Sequence, residues 1–132
     1  MKIAVDTNIL LRVLLADDAT QGPLAKKLME SAESVAISIH ALCELAWVLA
    51  SRQAMSRAEI AASIRGLIET RNVMVNRPAV EAGLAILDGG GDFADGAIAF
   101  EGQVLGGSTF VSFDKQAVKL VQRSGMAALL LN

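Results

Sequence analysis

The sequence predicts an α/β fold, a three-layer α/β/α sandwich around a central, mainly parallel sheet of four to five strands. Short apolar runs rich in β-forming residues alternate with longer amphipathic segments along the chain. These runs are apolar at nearly every position, which is typical of parallel strands that helices cover on both faces. The 132 residues suit one domain with its own core. Because no repeat or linker divides the chain, residues 1–132 are expected to form a single domain.

In the first half of the chain, strands and helices are indicated by β-forming runs, by leucines at helical spacing and by helix-capping residues. Pro23 suits the first turn of a helix. Ser56, followed three residues later by Glu59, forms the capping box of another helix. The predicted strands are 2–5, 35–38 and 72–75, and the predicted helices are 8–16, 23–33, 39–51 and 56–69.

In the second half, proline and glycine mark where helices begin and end. One helix begins at Pro78 and ends at the glycines of "DGGGD", and the last helix ends at Gly125. A further helix begins after Gly91 and carries "DFADGAIAF". The remaining strands are predicted at 108–112 and 127–131, with the last helix from 114 between them.

Composition excludes several classes of protein. A net charge of −2 is not that of a general nucleic-acid binder, so any such binding must come from local basic residues or from a metal. Cys43 is the only cysteine and no signal peptide is visible, which favours a reducing, cytoplasmic location. Asp6 and Arg12 interrupt the first apolar stretch well short of the ~20 residues that span a membrane. The hydrophobic fraction of 53% predicts apolar surface for a partner, such as a second copy.

Acidic residues follow the predicted strands. Asp6 comes directly after the first strand, and Asp114 follows the fourth. Right-handed crossovers place both loops at the edge of the sheet where parallel α/β folds bind ligands. Asp92 and Asp95, three residues apart at the start of a helix, can share one face of its first turn. The sequence therefore predicts that carboxylates converge at this edge.

Glu44 stands inside the apolar helix "ALCELAWVLA". With apolar residues on every side, this helix is predicted to have no solvated stripe for a surface glutamate. A buried carboxylate without a partner is so unfavourable that it takes up a proton, a cation or a metal. We therefore expect a positively charged partner at Glu44.

Each acid also has a structural explanation. Asp92 and Asp114 could be helix N-caps, a stabilisation of roughly 0.5 to 2 kcal/mol. Glu44 could pair with Arg12 or Arg65. The joint pattern of acids in separate segments nevertheless favours a hard divalent cation, Mg²⁺ or Mn²⁺, over zinc, because His40 and Cys43 make an incomplete soft site. Trp47, the only tryptophan, is more typical of a core or an interface than of a base-stacking platform.

Four segments, "VDTNILLR", "CELAWVL", "DFADGAIA" and "VSFDKQA", resemble the PIN domain, specifically the VapC-type toxins of type II toxin-antitoxin pairs. The resemblance covers nearly the whole chain. It implies a metal-dependent endoribonuclease, often a homodimer, that a small antitoxin protein holds inactive. It assigns the metal-binding and catalytic role to Asp6, Glu44, Asp95 and Asp114, with Asn8 and Ser112 in support and Asp92 as a further candidate.

The same resemblance makes Gly96 a departure, since the family usually has alanine there. The glycine is expected to loosen the helix that carries Asp95 by up to about 1 kcal/mol.

The reaction that the resemblance implies is hydrolysis of an RNA phosphodiester bond by a metal-activated water. Arg12, Lys115 and Lys119 lie close in sequence to the site segments and are candidates to hold substrate phosphates. A phosphotransfer or phosphatase domain also places Asp after its first strand, but Asn8 stands where that signature needs a second Asp. The other alternative is a non-catalytic interaction domain whose acids serve only as helix caps.

Overall fold

The computed structural model describes residues 1–132, which form seven helices and five strands in two compact units, Met1–Val75 and Asn76–Asn132. Every predicted strand and helix is present, within a few residues of its predicted bounds, so the α/β class is confirmed. No helix reaches the length and apolarity that crossing a bilayer requires. The elements are β1 (Lys2–Ala4), α1 (Thr7–Leu15), α2 (Gln21–Ser31), β2 (Ser34–Ala36), α3 (Ile39–Ser51), α4 (Arg57–Ile68), β3 (Val73–Met74), α5 (Arg77–Asp88), α6 (Phe93–Val104), β4 (Thr109–Ser112), α7 (Lys115–Arg123) and β5 (Ala127–Leu130).

The first unit is built on a parallel three-stranded ladder in the order β1-β2-β3. Val35 of β2 lies beside Ile3 of β1 and beside Val73 of β3. Helix α1 contacts α2 and α3, and α3 contacts α4. Because α3 repeats leucine at helical spacing, one of its faces is fully buried. The largest fully buried side chains of this unit are Leu10, Val35, Leu42, Leu45, Leu49, Ile60 and Ile64.

The second unit pairs β4 with β5, also in parallel, and packs α5, α6 and α7 with this ladder. Its core includes Ile86 of α5, Ala99 of α6 and Val121 of α7. Helices α5 and α6 approach closely because small residues stand where they meet. A Cβ atom built on Gly96 would lie 2.1 Å from the Ala82 carbonyl oxygen, so only glycine fits there.

All strand pairs are parallel, as predicted, but the hydrogen bonds join the strands in two ladders, one in each unit. Apolar runs indicate parallel strands without saying which strands are neighbours, so the sequence did not predict this division. Along β4 and β5, exposed and half-buried side chains alternate, and Val111 and Leu129 are 51% and 53% exposed. Although β4 and β5 are apolar in sequence, one face of this ladder is therefore more exposed than the other.

Candidate functional site

Asp6 is the N-cap of α1, immediately after β1. The backbone N–H of Ile9 donates to Asp6 Oδ1 over 3.1 Å, and the side chain is exposed. The next residue, Thr7, is buried, and its Oγ1 donates to the carbonyl oxygen of Ala41 in α3 over 3.4 Å. This bond fixes the start of α1, and therefore Asp6, against α3. Sequence reasoning missed both the Asp6 cap and Thr7, although Asp before a helical leucine pattern is a capping signal.

A groove of about 620 Å³ lies beside Asp6, between β1, α1 and α2. Asp6, Asn8 and Arg12 all line it, together with apolar side chains that include Ile9 and Leu24. The groove thus combines a carboxylate, an amide and a guanidinium with an apolar wall. All three of these candidate residues come from the segment "DTNILLR".

Arg12 is held in place by two polar contacts. Its Nε donates to Gln21 Oε1 over 2.8 Å, and its Nη1 lies 3.6 Å from Asp17 Oδ1. The ion partner of Arg12 is therefore Asp17 and not Glu44, which had been one alternative.

Glu44 is exposed, so the expectation of a buried carboxylate that needs a positive partner is wrong. Helix α3 has two faces. One face buries Ala41, Leu42, Leu45, Ala46 and Leu49, and the other carries His40, Glu44, Trp47 and Ser51, all exposed. The apolar sequence misled the prediction because two of its apolar residues, Trp47 and Ala50, are exposed and were counted with the core. Glu44 is therefore accessible to a ligand, but its exposed position does not by itself require one.

Asp114 caps α7, and Asp92 does not cap α6 with its side chain. The backbone N–H of Ala117 donates to Asp114 Oδ1 over 3.1 Å. Asp92 occupies the N-cap position of α6, but its carboxylate makes no capping hydrogen bond. The capping explanation is thus confirmed for Asp114, whereas Asp92 stands at the predicted N-cap position without the hydrogen bond that would stabilise the helix.

Asp95, in the first turn of α6, is half-buried among like charges. Burial raises the pKa of its carboxyl group, and the negative charges of Asp92 and Asp114 raise this pKa further. The second unit therefore brings together three of the predicted acids closely enough to repel one another. Repulsion of this kind is what a bound cation would relieve.

Neighbouring residues of α7 and β4 position this group. Ser112 Oγ accepts a hydrogen bond from the backbone N–H of Asp114 over 2.9 Å, which fixes the turn between β4 and α7. Lys115 and Lys119 are exposed and one helical turn apart on α7, so both can contact an anion. Ser112 thus hydrogen-bonds the backbone of Asp114. The role predicted from the sequence was to orient the carboxylates or a bound water.

The acids fit a hard divalent cation by their chemistry, since all are oxygen donors. Neither unit by itself gathers three or more histidine, cysteine or acidic side chains into a group that could hold a metal ion. Burial raises the pKa of the Cys43 thiol, which disfavours the thiolate that a soft metal needs. The donor set present therefore suits Mg²⁺ or Mn²⁺ better than zinc.

Gly96 does not loosen the helix that carries Asp95, as had been expected. It lets α6 pack directly on the backbone of α5, where any side chain would collide with Ala82. Gly83, on α5, similarly makes room for the ring of Phe93, which is buried. The small residues at Ala82, Gly83 and Gly96 were the available signal, but the pairing of α5 with α6 could not be read from one helix alone.

The PIN domain family profile matches residues 3–122. This span includes most of the chain and every candidate acid, so the chain belongs to the PIN domain family. PIN domains are α/β folds that generally act as metal-dependent nucleases on RNA. A comparison with curated proteins finds no match. At the level of the family, the chain therefore has a nuclease fold.

Proposed function

We propose that this protein is a metal-dependent endoribonuclease, the toxin of a toxin-antitoxin pair, which hydrolyses RNA phosphodiester bonds. The observation that carries the proposal is the repulsion around Asp95 in a chain of nuclease fold. Ionising Asp95 beside Asp92 and Asp114 costs free energy, and a divalent cation bound there would offset that cost.

The proposal assigns the metal-binding and catalytic roles to Asp6, Glu44, Asp95 and Asp114, with Mg²⁺ or Mn²⁺ as the cation. A divalent cation supplies an activated water and neutralises charge that develops on the phosphate. Asp6 and Asp114 each use one carboxylate oxygen in a helix cap, which limits the rotation of the side chain. Such fixed carboxylates are suited to ligand binding because little conformational entropy remains to be lost.

The remaining candidates act on the substrate or on the acids. Asn8 lines the groove beside Asp6 and can hydrogen-bond there without adding negative charge. Arg12, Lys115 and Lys119 are proposed to bind substrate phosphates, and Asp92 to contribute negative charge next to Asp95. Ser112 keeps Asp114 in place through the turn between β4 and α7.

The proposal extends to partners and location. An antitoxin protein and a second copy of the chain are the expected partners, and the cytoplasm is the expected location. Exposed apolar side chains support binding to another protein, since Val104 and Leu105 are 67% and 86% exposed at the end of α6.

Cleavage of RNA by the purified protein tests the proposal. We expect cleavage with Mg²⁺ or Mn²⁺ and none with EDTA. Asp6→Asn and Asp95→Asn should abolish cleavage while the protein stays folded, because Asn removes the charge and keeps the shape. Cleavage at the wild-type rate by either variant would contradict the assignment of that residue.

Metal binding provides a second readout. Millimolar Mg²⁺ should raise the melting temperature of the wild type, because the cation binds only folded protein. The same addition should raise the melting temperature of Asp95→Asn less.

A non-catalytic interaction domain is the second candidate, because the caps formed by Asp6 and Asp114 are what that function predicts. Calorimetric titration of Mn²⁺ separates the two. Stoichiometric binding heat that disappears in Asp95→Asn supports the nuclease, and the absence of heat from the wild type supports the interaction domain.

A further inference from the structure

The solvent-exposed face of α3 carries a tryptophan that belongs to no core. Trp47 is 59% exposed, although it lies in a helix whose opposite face is fully buried. We propose that Trp47, together with Arg52, forms a base-stacking subsite for single-stranded RNA. This inference rests on the proposed function and adds to it a residue that binds the base of the substrate.

Arg52 lies against the tryptophan ring. Its guanidinium carbon is 5.7 Å from the ring centroid, which is a cation–π distance. Arg52 follows α3 directly as its C-cap and is itself exposed. A base needs an accessible aromatic surface, and the neighbouring phosphates need a positive charge. Trp47 and Arg52 provide both at one point of the surface.

Trp47 also lies close to a proposed metal ligand. Glu44 precedes it by three residues on the same exposed face, about 4.5 Å along the helix axis at ~1.5 Å per residue. A base stacked on Trp47 would leave the adjoining backbone of the RNA within reach of Glu44. The subsite is therefore placed to select or hold a nucleotide next to the bond that is cut.

The rest of this face favours RNA over a second copy of the chain. His40, Glu44 and Ser51 accompany Trp47, so a single aromatic side chain stands among polar ones. The cores of protein interfaces are depleted in charge and bury contiguous apolar surface. Aromatic side chains beside cations are typical of single-strand binding instead.

The chain is suited to a direct test because it has one tryptophan and no tyrosine, so its intrinsic emission reports Trp47 alone. In the Asp6→Asn background with Mg²⁺, RNA should stay intact. A fluorescein-labelled single-stranded oligoribonucleotide of mixed sequence is titrated while anisotropy and tryptophan emission are recorded. We expect the emission to be quenched, with the same midpoint as the rise in anisotropy.

Variants of Trp47 in the same Asp6→Asn background measure how much this side chain contributes to the affinity for RNA. Trp47→Leu should weaken RNA binding by about 5- to 150-fold, the range that loss of one stacked base produces. Trp47→Phe should retain most of the affinity, because phenylalanine also stacks. Leu129→Ala, which removes another exposed apolar side chain, is the control and should bind as tightly as its parent.

Three results would overturn the inference. RNA binding that leaves the emission and the Trp47→Leu affinity unchanged would exclude the subsite while the proposed function stands. Emission that shifts with protein concentration in the absence of RNA would show that a second copy covers Trp47. If no RNA binds in either the wild type or the Asp6→Asn protein, the proposed function fails and the subsite fails with it.

Discussion

The two units of the chain hold their acidic residues in different ways. In the first unit, Asp6 is bound to a backbone N–H and Glu44 lies in solvent on α3. In the second unit, Asp95 is half-buried and its pKa is raised by burial and by the charges of two neighbouring aspartates. An acid that stays solvated adds no electrostatic penalty to the free energy of folding, whereas acids that repel one another destabilise the folded state. The difference identifies the second unit as the region where cation binding should affect stability most.

The packing that holds Asp95 in place provides the largest expected effect on stability. Gly96→Ala should destabilise the protein by about 1–3 kcal/mol, because the new methyl group collides with backbone that cannot move freely. The higher helix propensity of alanine offsets only about 1 kcal/mol of this cost. Urea unfolding followed by circular dichroism measures the change.

Gly102→Ala is the matched control, since it makes the same change in the same helix with no atom within 4 Å of the new Cβ. It should leave stability unchanged or raise it by up to about 1 kcal/mol. Equal effects at Gly96 and Gly102 would show that close packing of α5 on α6 does not hold Asp95 in place.

Substitution of the capping aspartates, Asp6 and Asp114, can separate the stability that comes from the capping hydrogen bond from the stability that comes from the negative charge. Asp114→Ala should destabilise the protein by about 0.5–2 kcal/mol, because the first turn of α7 loses the acceptor of its Ala117 N–H. Asp114→Asn keeps an acceptor oxygen and should destabilise the protein by less than half as much as Asp114→Ala. Thermal unfolding in EDTA measures both variants.

Asp6→Ala and Asp6→Asn should repeat this order in the first unit, where Ile9 donates to the cap. If Asn were as damaging as Ala at both positions, charge rather than capping would explain the stabilisation by these aspartates.

Local patterns in the sequence were sufficient to predict the elements and their ends. The capping box of Ser56 and Glu59 is present with both of its hydrogen bonds, and the predicted bounds of α3 are those observed. Gly125 ends the last helix with φ near +100°, a conformation that favours glycine. Such signals involve residues close together in the chain, which is why they can be read without knowing the fold.

The errors concern facts that depend on contacts between distant segments. Whether Glu44 is buried depends on which face of α3 the other helices cover, and the count of apolar residues does not show this. The need for Gly96 comes from Ala82 on another helix. The raised pKa of Asp95 likewise depends on Asp114, which follows a different strand. Of the candidate site, the sequence therefore predicted which residues to consider and not the environment of each.

The smallest expected effects have opposite signs in the two units. Asp18 accepts hydrogen bonds from the backbone N–H groups of Gln21 and Thr20, and these bonds hold the pKa of its carboxyl group below the ordinary value. Its stabilisation is fully present above the unfolded-state pKa and is lost as pH falls through the folded-state pKa. Asp95 is the reverse case, since its folded-state pKa is raised. Its ionisation destabilises the folded protein above that pKa, and the cost disappears below the unfolded-state value.

At neutral pH in EDTA, Asp18→Asn should therefore lower the melting temperature and Asp95→Asn should raise it. Both differences from the wild type should shrink as the pH is lowered through the carboxyl range, because protonation removes the charges that the substitutions remove. Melting curves at a series of pH values measure this convergence. If Asp95→Asn instead lowered the melting temperature at neutral pH, repulsion among the acids of the second unit would not be the dominant effect, and a cation in that unit would have no repulsion to relieve.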